Sequence, residues 1–309
     1  MTLRISAVIP TFNRAAYLRK AIQSLVDQTL PREQYEILVV DNCSTDETKQ
    51  VVLEEFGHVP NLRYLYEPVL GLNQARNTGW QNSLGKYVAY TDDDAIVASD
   101  WLECILDVWN SCPLHTGCVG GPVEPIWEAP RPGWLSPKLD LSMTIVDWMT
   151  TPGYLSNHQW LVGANIAFPR QLLNSTGGFR LGFDRTGNKL LSGGEIVLQK
   201  KLALKGYNRF YHPKIAVKHH LSVLRLTQKW VLQRWYWEGV SEAWLLIQEE
   251  SMSRTERLHF GLYKLKQLVS NPRNLLYILI PTQNAENFFV KCVGLGQLGY
   301  LMGMIKGLG

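Results

Sequence analysis

Cysteine is scarce in this sequence, and long apolar runs are absent. The five cysteines are odd in number and none forms a CxxC pair, which argues against a disulfide framework and a structural zinc site. We therefore expect a reducing, cytoplasmic environment. No run reaches the roughly 18 apolar residues that a spanning helix requires, since the longest, Leu275–Ile280, is followed by Pro281. The first residues lead directly into a strand pattern, so we expect neither a signal peptide nor a membrane span.

A strong excess of either charge is also missing. The chain of 309 residues has 31 basic and 27 acidic side chains, a net charge of +4, and they are spread along its length. We therefore expect no nucleic-acid partner. With 46% apolar and 19% charged residues the composition is that of a globular protein, not a disordered or collagen-like one. Tryptophan, in contrast, is abundant, with eleven residues.

Short apolar runs alternate with amphipathic stretches over the first ninety residues. Strands separated by helices of this length imply crossover connections, so we predict an α/β fold with a mostly parallel central sheet flanked by helices. The predicted strands are Ile5–Ile9, Glu36–Val40, Leu62–Tyr66 and Tyr87–Thr91, and the predicted helices are Tyr17–Gln28, Thr45–Phe56 and Gly71–Ser83.

The rest of the chain is predicted to hold a lid and a helical extension. Residues Gly120 to Pro152 are rich in Pro, Gly and Trp, which favours an irregular lid over a ligand crevice. We predict a catalytic domain over 1–221 and a helical extension over 222–309. The further predicted elements are a helix at Glu195–Lys205 ended by Gly206, a strand at Phe210–Val217, and helices at Gln228–Glu250 and Thr255–Val269.

Three consecutive acids, Asp92, Asp93 and Asp94, follow the predicted fourth strand. The carboxyl ends of strands in an open α/β sheet face the ligand crevice, and like charges this close require compensation. Carboxylates suit Mg²⁺ or Mn²⁺, which keep coordination positions open for substrate phosphates. The triplet therefore predicts a metal site for a nucleoside diphosphate. A solvated acidic turn that caps the next helix is the alternative.

The first two strands also end in polar loops. Pro10 forces an extended exit from the first strand and leaves Thr11 and Asn13 at the crevice mouth. Asp41 follows the second strand and points beyond the sheet, where it could accept a hydrogen bond from a base. Each loop alone fits an ordinary strand-to-helix turn. Together with the acidic triplet they predict one crevice.

Four segments in series, Val8–Arg14, Val39–Asp46, Gly71–Asn77 and Asp92–Asp94, resemble the inverting family 2 glycosyltransferases. The resemblance covers about Arg4 to Ser241. It implies a GT-A fold that binds a nucleoside diphosphate sugar, with Mn²⁺ or Mg²⁺ held by Asp94. The donor contacts that it implies are Pro10, Thr11, Asn13, Arg14, Asp41, Arg76, Asp92 and Asp93.

The same resemblance implies an acceptor side and a general base. Asn165 lies in a segment similar to one that lines the acceptor side, although a strand begun by Gly163 explains it equally well, and Trp134 of the predicted lid is a second acceptor candidate. Glu195 opens a predicted helix whose dipole favours its charged form, which suits a base. The family usually has two adjacent acids here, whereas this chain has Gly194 before Glu195. A purely structural charge at the helix start is the alternative.

Two further features concern the metal and the membrane. His219 follows the last strand of the catalytic domain in a pattern that the family often shows, and it could complete a metal site with Asp94; a hydrogen-bonded surface histidine is the alternative. The tryptophan-rich helix at Gln228–Glu250 is typical of a core helix, or of a helix at the inner face of a membrane beside a lipid-linked acceptor.

We therefore predict an inverting hexosyltransferase. It would move a sugar from a nucleoside diphosphate sugar, with uridine as the favoured base, to a hydroxyl of a saccharide or lipid-linked acceptor in one displacement, with Glu195 as base. One alternative is a non-catalytic sugar-nucleotide-binding or scaffold module of the same fold. The other is a sugar-nucleotide pyrophosphorylase, which Pro10–Ala16 disfavours because it is not a glycine-rich, basic phosphate loop.

Overall fold

A computed structural model of the chain describes residues 3–111, 115–183, 190–270, 278 and 280–307. The apolar run Leu275–Ile280 lies largely outside these residues. The chain divides into two compact units. The first is Met1–Ile126, Ile145–Gly182 and Gly194–His220, and the second is Trp127–Thr144, Phe183–Gly193 and Leu221–Gly309. Residues 127–144 and 183–193, which the sequence analysis assigned to the catalytic domain, therefore cluster with the carboxy-terminal helices. The catalytic role of the first unit stays a prediction.

The first unit is built on an eight-stranded sheet in the order β3-β2-β1-β4-β9-β6-β10-β8. The α/β class is confirmed, and four of the seven pairings are parallel. β9 runs antiparallel to both of its neighbours because no crossover helix precedes it, so the sheet is more mixed than expected. The strands are β1 (Ile5–Thr11), β2 (Tyr35–Asp41), β3 (Leu62–Tyr66), β4 (Tyr87–Tyr90), β6 (Thr116–Gly120), β8 (Gly153–Tyr154), β9 (Ile166–Pro169) and β10 (Asn208–Tyr211).

A second sheet of three strands brings two distant segments together. It has the order β5-β11-β7, with β5 at Ala95–Val97, β7 at Val123–Trp127 and β11 at Val217–Leu221. The predicted strand at Phe210–Val217 is thus two strands in different sheets. The predicted irregular segment also contains β7 and a 3₁₀ helix at Pro137–Met143. β11 pairs antiparallel with β5 so that His219 lies opposite Ala95, one residue after Asp94.

Helices cover the large sheet. Alternate residues of β1 contribute to two separate cores, Ile5 and Ile9 to one and Val8 to the other, as expected for a strand buried on both faces. Because β1 pairs in parallel with both β2 and β4, the carboxyl ends of these three strands lie at one edge of the sheet. The helices of this unit are α1 (Ala15–Val26), α2 (Thr48–Gln50, continued by a wider turn over Val51–Glu55), α3 (Leu72–Asn82), α4 (Trp101–Ser111), α5 (Arg170–Thr176) and α6 (Gly194–Leu204).

The second unit contains three helices: α7 (Gln228–Glu249), α8 (Arg254–Ser270) and α9 (Ala285–Lys306). The helices predicted at Gln228–Glu250 and Thr255–Val269 are confirmed. α7 and α9 touch backbone to backbone. A Cβ added at Gly239 would lie 1.9 Å from the carbonyl oxygen of Gly296, and one at Gly299 would lie 2.0 Å from that of Tyr236. Glycine is therefore required at this crossing.

Among the described residues, α9 alone has the length and apolar composition of a membrane-crossing helix. The sequence analysis expected no such segment because it counted uninterrupted apolar runs, which Lys291 breaks. Core helices of soluble proteins meet the same criteria, and 39% of the apolar window of α9 is buried.

Candidate active site

The acidic triplet after β4 forms the centre of a polar cluster in the first unit. Asp93 and Asp94 are buried, whereas the side chain of Asp92 is 28% exposed. Arg14 Nη1 lies 3.2 Å from Asp93 Oδ1 and also pairs with Asp94. His219 Nε2 lies 3.0 Å from Asp94 Oδ1, because the pairing of β11 with β5 places it there. The predicted proximity of the triplet and His219 is thus observed.

Burial and crowding shift the charges in this cluster. Burial raises the pKa of Asp93 to about 7; Arg14 opposes this rise, and the carboxylates of Asp94 and Asp92 add to it. Burial disfavours the charged form of Arg14, but Asp93 and Asp94 together raise its pKa above the ordinary value. The triplet therefore lies in a site where an added positive charge is strongly favoured.

Asp92, Asp94 and His219 form a set of metal-ligating side chains. One ligand atom from each lies within 4.8 Å of the others. Around the triplet, the carboxylates of Asp92, Asp93, Asp94 and Glu195 outnumber the guanidinium groups of Arg14 and Arg76 by two. Two carboxylates and an imidazole are donors that a divalent cation accepts, and its charge would balance this excess. The residues present therefore fit a divalent metal ion.

Arg76 links the acidic triplet to the predicted base. This buried side chain extends from α3, with Nη2 3.6 Å from Asp92 Oδ1 and Nη1 3.6 Å from Glu195 Oε2. Its guanidinium also lies over the ring of Phe179, 5.3 Å from the centroid. A Cβ at position 163 would lie 2.0 Å from Arg76 Nη2, so Gly163 makes room for the guanidinium. Arg76 therefore holds the carboxylates of Asp92 and Glu195 on two sides of one cation.

Asn73 explains why a glycine precedes Glu195. A Cβ on Gly194 would lie 2.2 Å from Asn73 Nδ2, so the asparagine occupies the space of a side chain at 194. Asn73 is fixed there because Nδ2 donates to the carbonyl oxygen of Arg180 at 2.8 Å and Oδ1 accepts from Arg76 at 3.4 Å. The sequence analysis missed Asn73. The only available signal was its position one helical turn before Arg76.

The loops after β1 and β2 are held together by their polar side chains. Asn13 Oδ1 accepts from the backbone nitrogen of Thr45 at 2.7 Å, and Asp41 accepts from Ser44 N at 2.9 Å and Tyr64 Oη at 2.7 Å. Thr11 donates to Asp93 at 2.9 Å. Pro10, Thr11 and Asp41 are almost fully buried. These side chains shape the crevice edge, and direct contacts with a nucleotide stay predictions.

The two residues predicted for the acceptor each have partners within their own unit. Asn165 is fully buried, accepts from Trp101 Nε1 at 2.9 Å and donates to the carbonyl oxygens of Pro122 and Ile215. Its assignment to the acceptor is therefore wrong, because every polar atom of the amide is used inside the fold. Trp134 belongs to the second unit, where its ring packs edge-on against Phe288 with centroids 4.8 Å apart. Its contact with an acceptor stays a prediction.

Comparison with known proteins agrees with this geometry. Residues 6–132 match the family described as glycosyl transferase family 2. The chain is 25% identical over 98% of its length, and 97% of the relative's, to the glucosyl-dolichyl phosphate glucuronosyltransferase of Haloferax volcanii. It is 29% identical over 66% of its length, and 62% of the relative's, to glycosyltransferase AglE of the same organism.

Solved structures show the same fold. A mannosyltransferase from Pyrobaculum calidifontis, in complex with GDP-Man and Mn²⁺, is similar over 80% of this chain and 65% of its own, with 22% identity and a TM-score of 0.57. TarS 1–349 of S. aureus, in complex with UDP, is similar over 98% of this chain and 90% of its own, with 17% identity and a TM-score of 0.55.

Sheet order and the solved structures together define a GT-A fold. Residues 6–132 match glycosyl transferase family 2, and the curated relatives support a glycosyltransferase enzyme. The alternatives of a non-catalytic module and of a pyrophosphorylase are thereby set aside.

Proposed function

We propose that the protein transfers a sugar from a nucleoside diphosphate sugar, with uridine as the base, to a hydroxyl of a saccharide carried on a lipid phosphate, with inversion at the anomeric carbon. The observation that carries this proposal is the placement of Arg76 between Asp92 and Glu195. This placement connects the acidic triplet on the donor side with the carboxylate of Glu195, which is not one of the proposed metal ligands.

In this proposal Asp92, Asp94 and His219 would hold a divalent metal ion. A bound divalent cation supplies charge neutralisation to the diphosphate that leaves. The imidazole of His219 is a softer ligand than water or carboxylate and favours Mn²⁺ over Mg²⁺. Arg14, which pairs with Asp93 and Asp94, holds these two inner carboxyl groups in place.

Glu195 acts as the general base. Its carboxylate takes the proton from the acceptor hydroxyl while that oxygen forms a bond to the anomeric carbon. The bond from the anomeric carbon to the diphosphate oxygen breaks, and its electron pair leaves with the nucleoside diphosphate. Glu195 lies in the first turn of α6, with Oε2 3.6 Å from Arg76 Nη1. One displacement without a covalent intermediate inverts the configuration.

The acceptor class is supported by a relative. The name of the Haloferax volcanii enzyme, which is similar over nearly the whole chain, specifies a glucosyl-dolichyl phosphate substrate. By this similarity we assign a lipid-linked saccharide acceptor to the present chain. Trp134 stays a candidate for contact with that acceptor.

The donor is tested by calorimetric titration of UDP, GDP and dTDP into the protein, each with Mn²⁺, with Mg²⁺ and with chelator. We expect UDP to bind with Mn²⁺ and to lose most of its affinity with chelator. Tight binding of GDP or dTDP instead would overturn the uridine assignment. Binding that chelator leaves unchanged would overturn the metal assignment.

The stereochemistry is tested separately by proton NMR of the reaction with a defined UDP-sugar and a lipid-linked saccharide. We expect the anomeric coupling constant of the product to show the configuration opposite to that of the donor. A product that retains the donor configuration would reject Glu195 as base in a single displacement.

A further inference from the structure

Exposed apolar side chains of the second unit are concentrated on α8. Six of its large apolar side chains are exposed: the aliphatic Leu258, Leu262, Leu265 and Val269 and the aromatic Phe260 and Tyr263. Leu262 is 63% exposed and Val269 57%. The tryptophans of α7, which the sequence analysis considered for a membrane surface, are instead partly buried. The apolar surface that needs a partner therefore belongs to α8, not to the tryptophan-rich helix.

The four aliphatic residues form one stripe. Their spacings of four, three and four residues place them within a narrow sector of the helix surface. The buried Gly261 and Leu268 mark the inward face of α8, which borders the stripe on one side. The stripe thus extends the apolar surface of α8 beyond the part that packs in the unit.

The charge beside the stripe is positive. Lys266 and His259 flank it on one side and Arg254 on the other, and all three are exposed. The one acid within α8, Glu256, accepts from Ser253 at the start of the helix, at 2.8 Å from N and 2.7 Å from Oγ. Residues 221–309 carry ten basic and six acidic side chains, a net charge of +4 that equals that of the whole chain.

We propose that α8 binds the surface of an anionic lipid bilayer, with the stripe in the boundary between headgroups and acyl chains. An apolar stripe with basic flanks is the pattern of a helix that lies in the plane of a membrane. This surface lies outside the catalytic cluster, so the proposal is independent of donor, acceptor and mechanism.

A second copy of the chain fits the same stripe less well. The spacing of four, three and four residues also suits a coiled-coil seam, in which flanking residues of the two helices face each other. Such a pair would place the basic flanking residues Arg254, His259 and Lys266 only against other basic or uncharged residues, because no acidic residue flanks the stripe. Anionic lipid satisfies these charges, whereas self-association does not.

The test is flotation of the full chain with two kinds of vesicle, phosphatidylcholine alone and phosphatidylcholine mixed with phosphatidylglycerol. Binding to the mixed vesicles is expected to fall by about tenfold or more in Leu262→Glu/Leu265→Glu. Lys266→Glu is expected to reduce it by about fivefold. The matched control is Leu204→Glu, since Leu204 is 90% exposed on α6 and should not affect binding.

Four outcomes would overturn the proposal. They are equal binding to both vesicle types, no binding of the wild type, equal losses in the Leu204→Glu control, and a lipid-free dimer in light scattering that Leu262→Glu/Leu265→Glu converts to monomer. Circular dichroism melting checks that each variant is folded. Lys266→Glu keeps the test decisive if the double variant unfolds, because a charge change at an exposed position leaves the packing intact.

Discussion

Glycine allows close approach both at the candidate site and at the α7–α9 crossing, but the group that approaches differs. At the candidate site the groups are side chains: Gly163 makes room for the guanidinium of Arg76, and Gly194 for the amide of Asn73. At the crossing the groups are backbones, since Gly239 and Gly299 let α7 and α9 touch. The first use positions charges for chemistry, and the second stabilises a helix pair.

The two uses differ in what a substitution would disturb. A side chain such as Asn73 can rotate away from an added methyl group, so the fold survives while the charges move. A helix carbonyl cannot rotate, so an added methyl group at the crossing forces whole helices apart. We therefore expect a loss of activity from a methyl group added at the candidate site and a loss of stability from one added at the α7–α9 crossing.

The largest effect should come from the acidic triplet. Asp94→Asn removes a charge that faces Arg14 and His219, and we expect the transfer rate to fall by at least about 10³-fold. Titration of UDP with Mn²⁺ should show the matching loss of metal-dependent affinity. Asp107→Asn, a change at an exposed carboxylate of α4, is the control. Near-normal turnover in Asp94→Asn would show that Asp94 is not a ligand of the proposed metal ion.

Glu195→Gln should separate binding from chemistry. The amide keeps the volume of the side chain but accepts no proton, so we expect kcat to fall by about 10² to 10⁴-fold. Affinity for UDP should change little, because the metal set does not include Glu195. Steady-state kinetics and calorimetry measure the two quantities on one preparation. Unchanged kcat would place the base elsewhere.

Gly299→Ala tests the second unit. The added Cβ would lie 2.0 Å from the carbonyl oxygen of Tyr236, so we expect the free energy of unfolding to fall by about 2 kcal/mol. Gly133→Ala is the matched control, because a Cβ there has nothing within 4 Å and should change stability by less than about 0.5 kcal/mol. Urea unfolding measures both. Equal stability of the two variants would show that the α7–α9 crossing tolerates a methyl group.

The sequence predicted what depends on local pattern. Alternating apolar runs located β1 to β4, and strand ends located Asp41 and Asp92–Asp94, because a buried strand and its polar exit are neighbours in the chain. The antiparallel position of β9 was not predictable, since the order of strands depends on contacts between distant segments. The pairing of His219 with Asp94 came from resemblance to a family, not from spacing.

Residue identity alone also failed to separate a site residue from a structural one. Asn165 and Asn73 both lie near glycines in the sequence. Asn165 makes three hydrogen bonds within the core, whereas Asn73 lies beside Arg76. The difference is a matter of what surrounds each amide in space. No local pattern in the chain carries that information.

The smallest effect, and the sharpest test of the comparison, concerns Asn73 and Gly194. Gly194→Ala should lower kcat by about tenfold, because the displaced Asn73 moves Arg76 and with it the carboxylate of Glu195. The free energy of unfolding should fall by only about 1 kcal/mol, less than in Gly299→Ala.

Asn73→Ala opens the space that the new methyl group needs. In the double variant the two changes should therefore be less harmful than the sum of the single ones. Strictly additive losses in a double-mutant cycle of kcat and of urea unfolding would show that position 194 and Asn73 act separately, and Gly194 would then have no link to the base.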